Sequence, residues 1–199
     1  MMAYTIEAAL KSRMFDRVIV STENPKIHKI ALSFGAEVLK RPSHLAEDTT
    51  PTEAVVLHVL DELKKKENYS PEVVSLLQAT SPLRDARDIQ KAARIFFREK
   101  ADSLLSVEPY TSLIWRKEGK RFRSITRSHL HRPRRQDISN QFRENGAVFF
   151  TRRHLFQKHK NRLCGKISFY VMSQEKSVDV DSRIDLELVK QLLRRKHQG

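Results

Sequence analysis

Asp179 and Asp181, in the run SVDVD, are two carboxylates separated by a single residue. In an extended segment that spacing turns both side chains to one face. Like charges held that close repel each other unless a cation neutralises them, and Mg²⁺ accepts one or two carboxylates together with substrate phosphates. A solvated strand end, or a cap before the following helix, would use the same residues, so the pair does not decide alone. Leu76–Arg84 (LLQATSPLR) starts as an apolar strand and ends in Thr80, Ser81 and Pro82. That places Gln78, Thr80 and Ser81 where a strand gives way to a loop, the position at which open α/β sheets bind ligands. A plain connection with Ser81 as helix cap is the other reading. Arg132–Asp137 (RPRRQD) and Gln141–Ala147 (QFRENGA) gather arginines with Gln136 and Asn145, a set able to grip a carboxylate and satisfy hydroxyls, or simply to form a solvated basic loop. In KRPSHLAEDTTPT, Arg41 follows a strand and Thr52 opens a helix, and both could touch a ligand or serve locally.

The elements that must carry these residues alternate along the first 110 positions. Helical spacing is read over 4–12, 25–34, 51–66 and about 86–99, with strands at Arg17–Ser21, Glu37–Lys40, Val73–Gln78 and Ser103–Val107. Gly35 is placed to end the second helix and Pro51 to start the third. Such repetition predicts an α/β fold, a doubly wound and largely parallel sheet with its ligand site at the carboxyl ends of the strands. Residues 108–140 break the rhythm and predict a small β arm. Strands at Ala147–Thr151 and Ile167–Met172 and a helix over 183–195 complete the pattern.

At 199 residues and 23.2 kDa the chain makes a single domain and is too short for two full-sized ones. No apolar run reaches the roughly 18 residues that span a bilayer. The start, MMAYTIEAALKSR, has neither the basic region nor the cleavage site of a secretory leader, which predicts the cytoplasm. Cys164 is the only cysteine, so an internal disulfide and a cysteine zinc cage are excluded. The net charge is +14, and residues 111–170 hold about +13 of it. A basic surface of that kind suits nucleic acid, an acidic partner or small anions. Few aromatics, chiefly Trp115 and Phe122, accompany it, which weighs against base stacking. The eight histidines, His28 and His58 among them, form no coherent set.

Taken together and in order, AYTIEAALKS, DRVIVST, RPSHLAEDTTPT, LLQATSPLR, RPRRQD, FRENGA and SVDVDSRID resemble the acylneuraminate cytidylyltransferases, from Ala3 to about Leu193. RPRRQD followed by ENGA and SVDVD looks closer to that branch than to the Kdo cytidylyltransferases. The resemblance implies a nucleotide-diphospho-sugar transferase-like fold and a cytoplasmic homodimer, with the basic arm (108–145) crossing the dimer interface. It implies that CTP is coupled to a sialic acid-type 2-keto sugar acid with Mg²⁺ as cofactor. It implies Asp179 and Asp181 as catalytic metal ligands, and Arg41, Thr52 and Ser81 on the nucleotide. Gln78, Arg135, Gln136, Asn145 and Phe149 are implied on the sugar, and neither nucleic acid nor membrane as partner. Members open with a strand and a glycine-rich, PARGGSK-like phosphate loop; this sequence shows neither, and Ala79 and Glu144 stand where many members have proline. The alternatives are an impaired homologue that only binds nucleotide or sugar or pairs with a full-length chain, and a basic nucleic-acid-binding protein.

Overall fold

The protein is described by a computed structural model covering residues 1–126, 130 and 133–198. Arg132 of the RPRRQD stretch lies outside the described residues. The elements in chain order are α1 (Met2–Ser12), β1 (Ile19–Thr22), α2 (Pro25–Ser33), β2 (Glu37–Lys40), α3 (Thr52–Glu67), β3 (Val73–Leu76), α4 (Ala86–Arg98), β4 (Ser103–Pro109), β5 (Trp115–Glu118), β6 (Arg121–Ser124), β7 (Phe142–Arg152), α5 (Arg153–His159), β8 (Ile167–Val171) and α6 (Arg183–Gln198).

The best-defined helix start is that of α4. The Asp85 carboxylate accepts from the Arg87 and Asp88 amides, and Asp88 reaches back to the Asp85 amide, a reciprocal cap that satisfies the free N–H groups of the first turn. The apolar face of α4 is Ile89, Ala92, Ala93 and Phe96, all 0% exposed, which is helical spacing turned onto a sheet. It packs with Ala8 of α1, Leu104, Val148, Phe150, Tyr170 and Met172 to make the main core. The alternation of strand and helix thus produces the α/β architecture that the sequence predicts.

Three sheets are present among the described residues. β1 and β2 pair in parallel, β3-β7-β4-β8 form a four-stranded sheet, and β5 and β6 form the hairpin of the arm. β4 and β8 are parallel, whereas β7 lies between β3 and β4 and is antiparallel to both. β7 begins five residues before the expected strand, because Phe142–Glu144 pair with Val107–Pro109 across a register shift at Leu105/Val107. Gly146, with φ of +71°, sits in that irregularity and supplies the left-handed residue a bulge needs. The sequence pattern also passed over α5, a seven-residue helix with Phe156 as its one buried side chain. Among the described residues, no helix is long and apolar enough to cross a membrane.

Candidate active site

Arg41, Thr52, Gln78, Ser81 and Asp179, all singled out in the sequence, lie at two neighbouring places. One is the carboxyl end of β1 and β2. There Nη2 of Arg41 donates to the Ser21 carbonyl at 2.5 Å, with Glu23 3.9 Å away, and Arg41 and Thr52 line one cavity of about 690 Å³. Ala79, from the loop after β3, lines the same cavity and leads to the second place.

That second place is built where β3, the bulge in β7 and the segment before α6 meet. A Cβ on Gly146 would lie 2.0 Å from Oε1 of Gln78, so glycine leaves room for that side chain over the strand, and Oδ2 of Asp179 lies within ordinary contact of the same point at 3.9 Å. Asp179 has a buried Oδ1 with no hydrogen-bond partner, and the Oγ of Ser81 (1% exposed) is likewise unpartnered. Residues 177–182 are not a strand; the run is an irregular link held by the Val180 amide on the Thr80 carbonyl at 2.9 Å. Asp179 is half-buried and Asp181 exposed. No set of three His, Cys, Asp or Glu side chains able to hold a metal occurs among the described residues.

Asn145 and Phe149 are both engaged inside the fold. The Asn145 amide donates to the Ser177 hydroxyl at 2.8 Å and to the Met172 sulfur, and its carbonyl accepts from the Ser106 hydroxyl at 2.6 Å and the Ala147 amide. With every polar atom engaged, it clamps the bulge of β7 to the link that carries Asp179. Phe149 is 1% exposed and belongs to a core cluster with Leu105 and Val107, beneath the Arg162 guanidinium. Arg135 and Gln136 lie on an exposed single turn of the arm.

Two supports were not read from the sequence. Arg84, 2% exposed, donates from Nη1 to the carbonyls of Gln78 (3.2 Å) and Ala147 (2.8 Å), tying the loop after β3 to β7. Its signal was an arginine closing the LLQATSPLR run directly after Pro82 and Leu83. Lys176 reaches Asp85 at 2.7 Å and Asp88 at 2.9 Å, and the Tyr170 hydroxyl donates to Asp88 at 2.8 Å, fixing the Asp179 link to the start of α4.

Burial pushes the Asp85 carboxyl up, but the hydrogen bond and charge of Lys176 outweigh it and hold the group well below the usual carboxylate range. A carboxylate depressed in the folded state contributes stability that is full above its unfolded value, about pH 4, and is lost as pH falls towards the folded value. Asp85→Asn keeps the cap and removes only the charge. It is expected to cost about 1 kcal/mol at pH 7, a value reduced for partial exposure. The gap should narrow below about pH 4; urea unfolding at pH 7 and pH 3 checks it, and a gap independent of pH would assign the loss to the cap.

Gly146→Ala places a methyl group against Gln78 in a backbone conformation that disfavours it. The expected loss is about 1–3 kcal/mol, from left-handed strain of roughly 1–2 kcal/mol and the clash. Adding Gln78→Ala should return the steric part and leave the backbone part; a double-mutant cycle with no coupling would overturn the contact.

The comparisons with known proteins bear on the family and the fold. The model of the cytidylyltransferase family matches residues 1–198. The chain is 30% identical over 205 residues to the post-translational flagellin modification protein B of Campylobacter coli, covering 99% of this chain and 85% of that protein. It is 32% identical over 203 residues to the N-acylneuraminate cytidylyltransferase of Escherichia coli, and 30% identical over 197 residues to N-acylneuraminate cytidylyltransferase A of Danio rerio. It spans about half the length of those two enzymes, 47% and 44%. Among solved structures, a CMP:2-keto-3-deoxy-manno-octonic acid synthetase complexed with CTP superposes with a TM-score of 0.70 over 98% of this chain and 88% of that one, at 14% identity, a likeness of fold. A sheet that gathers its polar residues at the strand ends, and a family match that runs from the first helix to the last, lead to one conclusion: the chain belongs to the cytidylyltransferase family.

Proposed function

We propose that the protein couples CTP to a sialic acid-type nonulosonic acid, giving the CMP-sugar and pyrophosphate. The observation that carries this reading is the buried, unpartnered carboxylate oxygen of Asp179 beside Gln78 at the carboxyl end of β3. An uncompensated buried oxygen is costly, and it is retained where a ligand or cation completes it. Asp179, with Asp181 two residues on, fits Mg²⁺, a cation that takes one or two carboxylates and fills its other positions with phosphate and water. When bound there, Mg²⁺ would neutralise charge on the transferred phosphate.

The remaining work is positioning, which phosphoryl transfer needs more than a protein nucleophile. Arg41, its guanidinium oriented by the Ser21 carbonyl, and Thr52 receive the nucleotide from the cavity side. Ser81 offers a free hydroxyl on the loop between the two places. Gln78 holds the sugar acid so that its anomeric 2-hydroxyl faces the α-phosphate of CTP and pyrophosphate departs on the opposite side. Arg135 and Gln136, exposed on the arm, are assigned to the sugar carboxylate in the site of a second protomer. The relatives' names support the sugar-acid class, through the N-acylneuraminate enzymes. The nucleic-acid reading loses support, because Arg134, Arg143, Arg152 and Arg162 of the basic stretch are paired with Asp137, Glu108, Glu72 and Glu53.

The test is CTP with N-acetylneuraminate and Mg²⁺, following pyrophosphate release and melting temperature together. At about 100 times its dissociation constant CTP stabilises by about 2.7 kcal/mol, a rise of roughly 5–10 °C for a chain of this size. Stabilisation by random-sequence DNA in place of CTP would overturn the reading.

A further inference from the structure

The buried face of α4 has an opposite, and charge is concentrated there. At about 100° per residue, Arg87, Lys91, Arg94 and Arg98 fall within an arc of about 60°, diametrically across the helix from Ile89, Ala92, Ala93 and Phe96. All four cations are exposed. The row runs nearly the length of the helix, about 16 Å at a rise of about 1.5 Å per residue, in steps of about 6, 4.5 and 6 Å. It is separate from the basic stretch of the arm.

The helix gains nothing from this arrangement. Like charges at three- and four-residue spacing repel, and three such pairs follow one another here: Arg87 with Lys91, Lys91 with Arg94, and Arg94 with Arg98. Arg87 also sits in the first turn, where the free N–H groups favour an acid. Of the four, only Arg98 has an ion-pair partner among the described residues, the Glu99 carboxylate at 3.0 Å from its Nη2.

Both flanks of α4 are filled by the chain itself. On one, the Gln90 side-chain amide donates to the Ser12 carbonyl of α1 at 3.0 Å; on the other, the Ser168 hydroxyl of β8 donates to Glu99 at 2.6 Å. With neighbours on both sides, α4 cannot enter the roughly 12 Å width of a DNA major groove, and no aromatic side chain stands in the row to stack on a base. Its apolar side is taken up by the core, so it offers a bilayer charge alone and no area to insert. A single file of cations is complementary to a single file of carboxylates. A partner helix with acids at four-, three- and four-residue spacing reproduces the same three steps, and that order reads alike in both directions. Three of the four cations are arginines, whose planar guanidinium takes a carboxylate through two bonds.

We propose that the outer face of α4 docks an acidic helix of a partner protein, with carboxylates set against Arg87, Lys91, Arg94 and Arg98. This inference does not depend on the catalytic reading, because the row faces away from the sheet that carries the candidate site and its readout is binding.

The probe is an alanine-based helical peptide with four glutamates at that spacing, titrated into the whole chain at low salt. Its control has the same composition with the glutamates spread around the helix. The patterned peptide is expected to bind about tenfold tighter than the control. Arg87→Glu combined with Arg94→Glu should weaken it by about tenfold or more. The same double variant should melt at an unchanged or higher temperature, because each change relieves a like-charge contact. Equal binding of the two peptides, binding of neither, or binding that survives the double variant would overturn the proposal. Tighter binding of a random-sequence DNA duplex or of phosphatidylserine-rich vesicles would overturn it as well, and so would a fall in melting temperature, which would give the row a part in the fold.

Discussion

Asp179→Asn is expected to lower kcat/KM for CMP-sugar formation by about 10³-fold, while the folded state becomes no less stable. Loss of a carboxylate that holds a phosphate-neutralising cation removes several kcal/mol from the transition state, and about 4 kcal/mol is 10³-fold in rate. The stability side of the prediction comes from the structure. Oδ1 of Asp179 is buried and accepts no hydrogen bond, so the folded chain bears a desolvation cost that an amide bears less heavily. Asparagine at this position should therefore leave the urea midpoint unchanged or raise it by an amount worth up to about 1–2 kcal/mol. Activity falling while stability holds or rises is the signature of a group retained for its ligand. The Mg²⁺-dependent part of CTP stabilisation should disappear in the same variant, a readout that needs no turnover. Activity within threefold of the parent would overturn the proposal that Asp179 holds Mg²⁺.

The sequence made the helices and most strands legible because their signals are local. Helical spacing over Ile89, Ala92, Ala93 and Phe96 survives any tertiary context, and α4 lies where that spacing puts it. The start of β7 did not show, because Arg143 and Glu144 interrupt the apolar pattern with charge and Phe142–Glu144 are strand through their pairing with Val107–Pro109. The site divides in the same way. Gln78, Ser81 and Asp179 stood out as polar residues at the ends of apolar runs, and the fold brings them to one place. Asn145 has the same chemistry on paper, yet its amide is consumed by Ser106, Met172, Ser177 and the Ala147 amide, partners that only the folded chain assembles. Phe149 and Arg84 show the same limit from opposite sides. An aromatic that could face a sugar is core, and an arginine that would normally be surface is buried.

Arg84 carries the second large effect. Its burial holds the guanidinium down at about 10, partly offset by the charge of Asp88, so the cation is a cost as well as a tie. Nε and Nη2 have no partner, and only Nη1 is used, on the carbonyls of Gln78 and Ala147. Arg84→Met relieves a charge penalty of about 3 kcal/mol; it orphans the buried Ala147 carbonyl and leaves the Gln78 carbonyl only the long bond from the Ser81 amide at 3.4 Å, at roughly 1–3 kcal/mol each. The two nearly cancel, which predicts a net destabilisation of only about 1–2 kcal/mol. Geometry does not cancel. The Gln78 carbonyl is tied to the Ala147 carbonyl of β7 through this side chain, and a displacement of about 1 Å in a positioned group costs on the order of 10²-fold. We expect kcat/KM to fall about 100-fold, with the KM for the sugar acid rising more than that for CTP. Arg84→Lys retains the charge but cannot span both carbonyls from a single ammonium as a planar guanidinium does, so it should recover less than half of the loss in free energy. A structural role would lower stability and activity in parallel and would affect both substrates equally. Parallel losses in urea titration and in kcat/KM would therefore return Arg84 to the core, and kcat/KM within threefold would show that the turn keeps its shape without it.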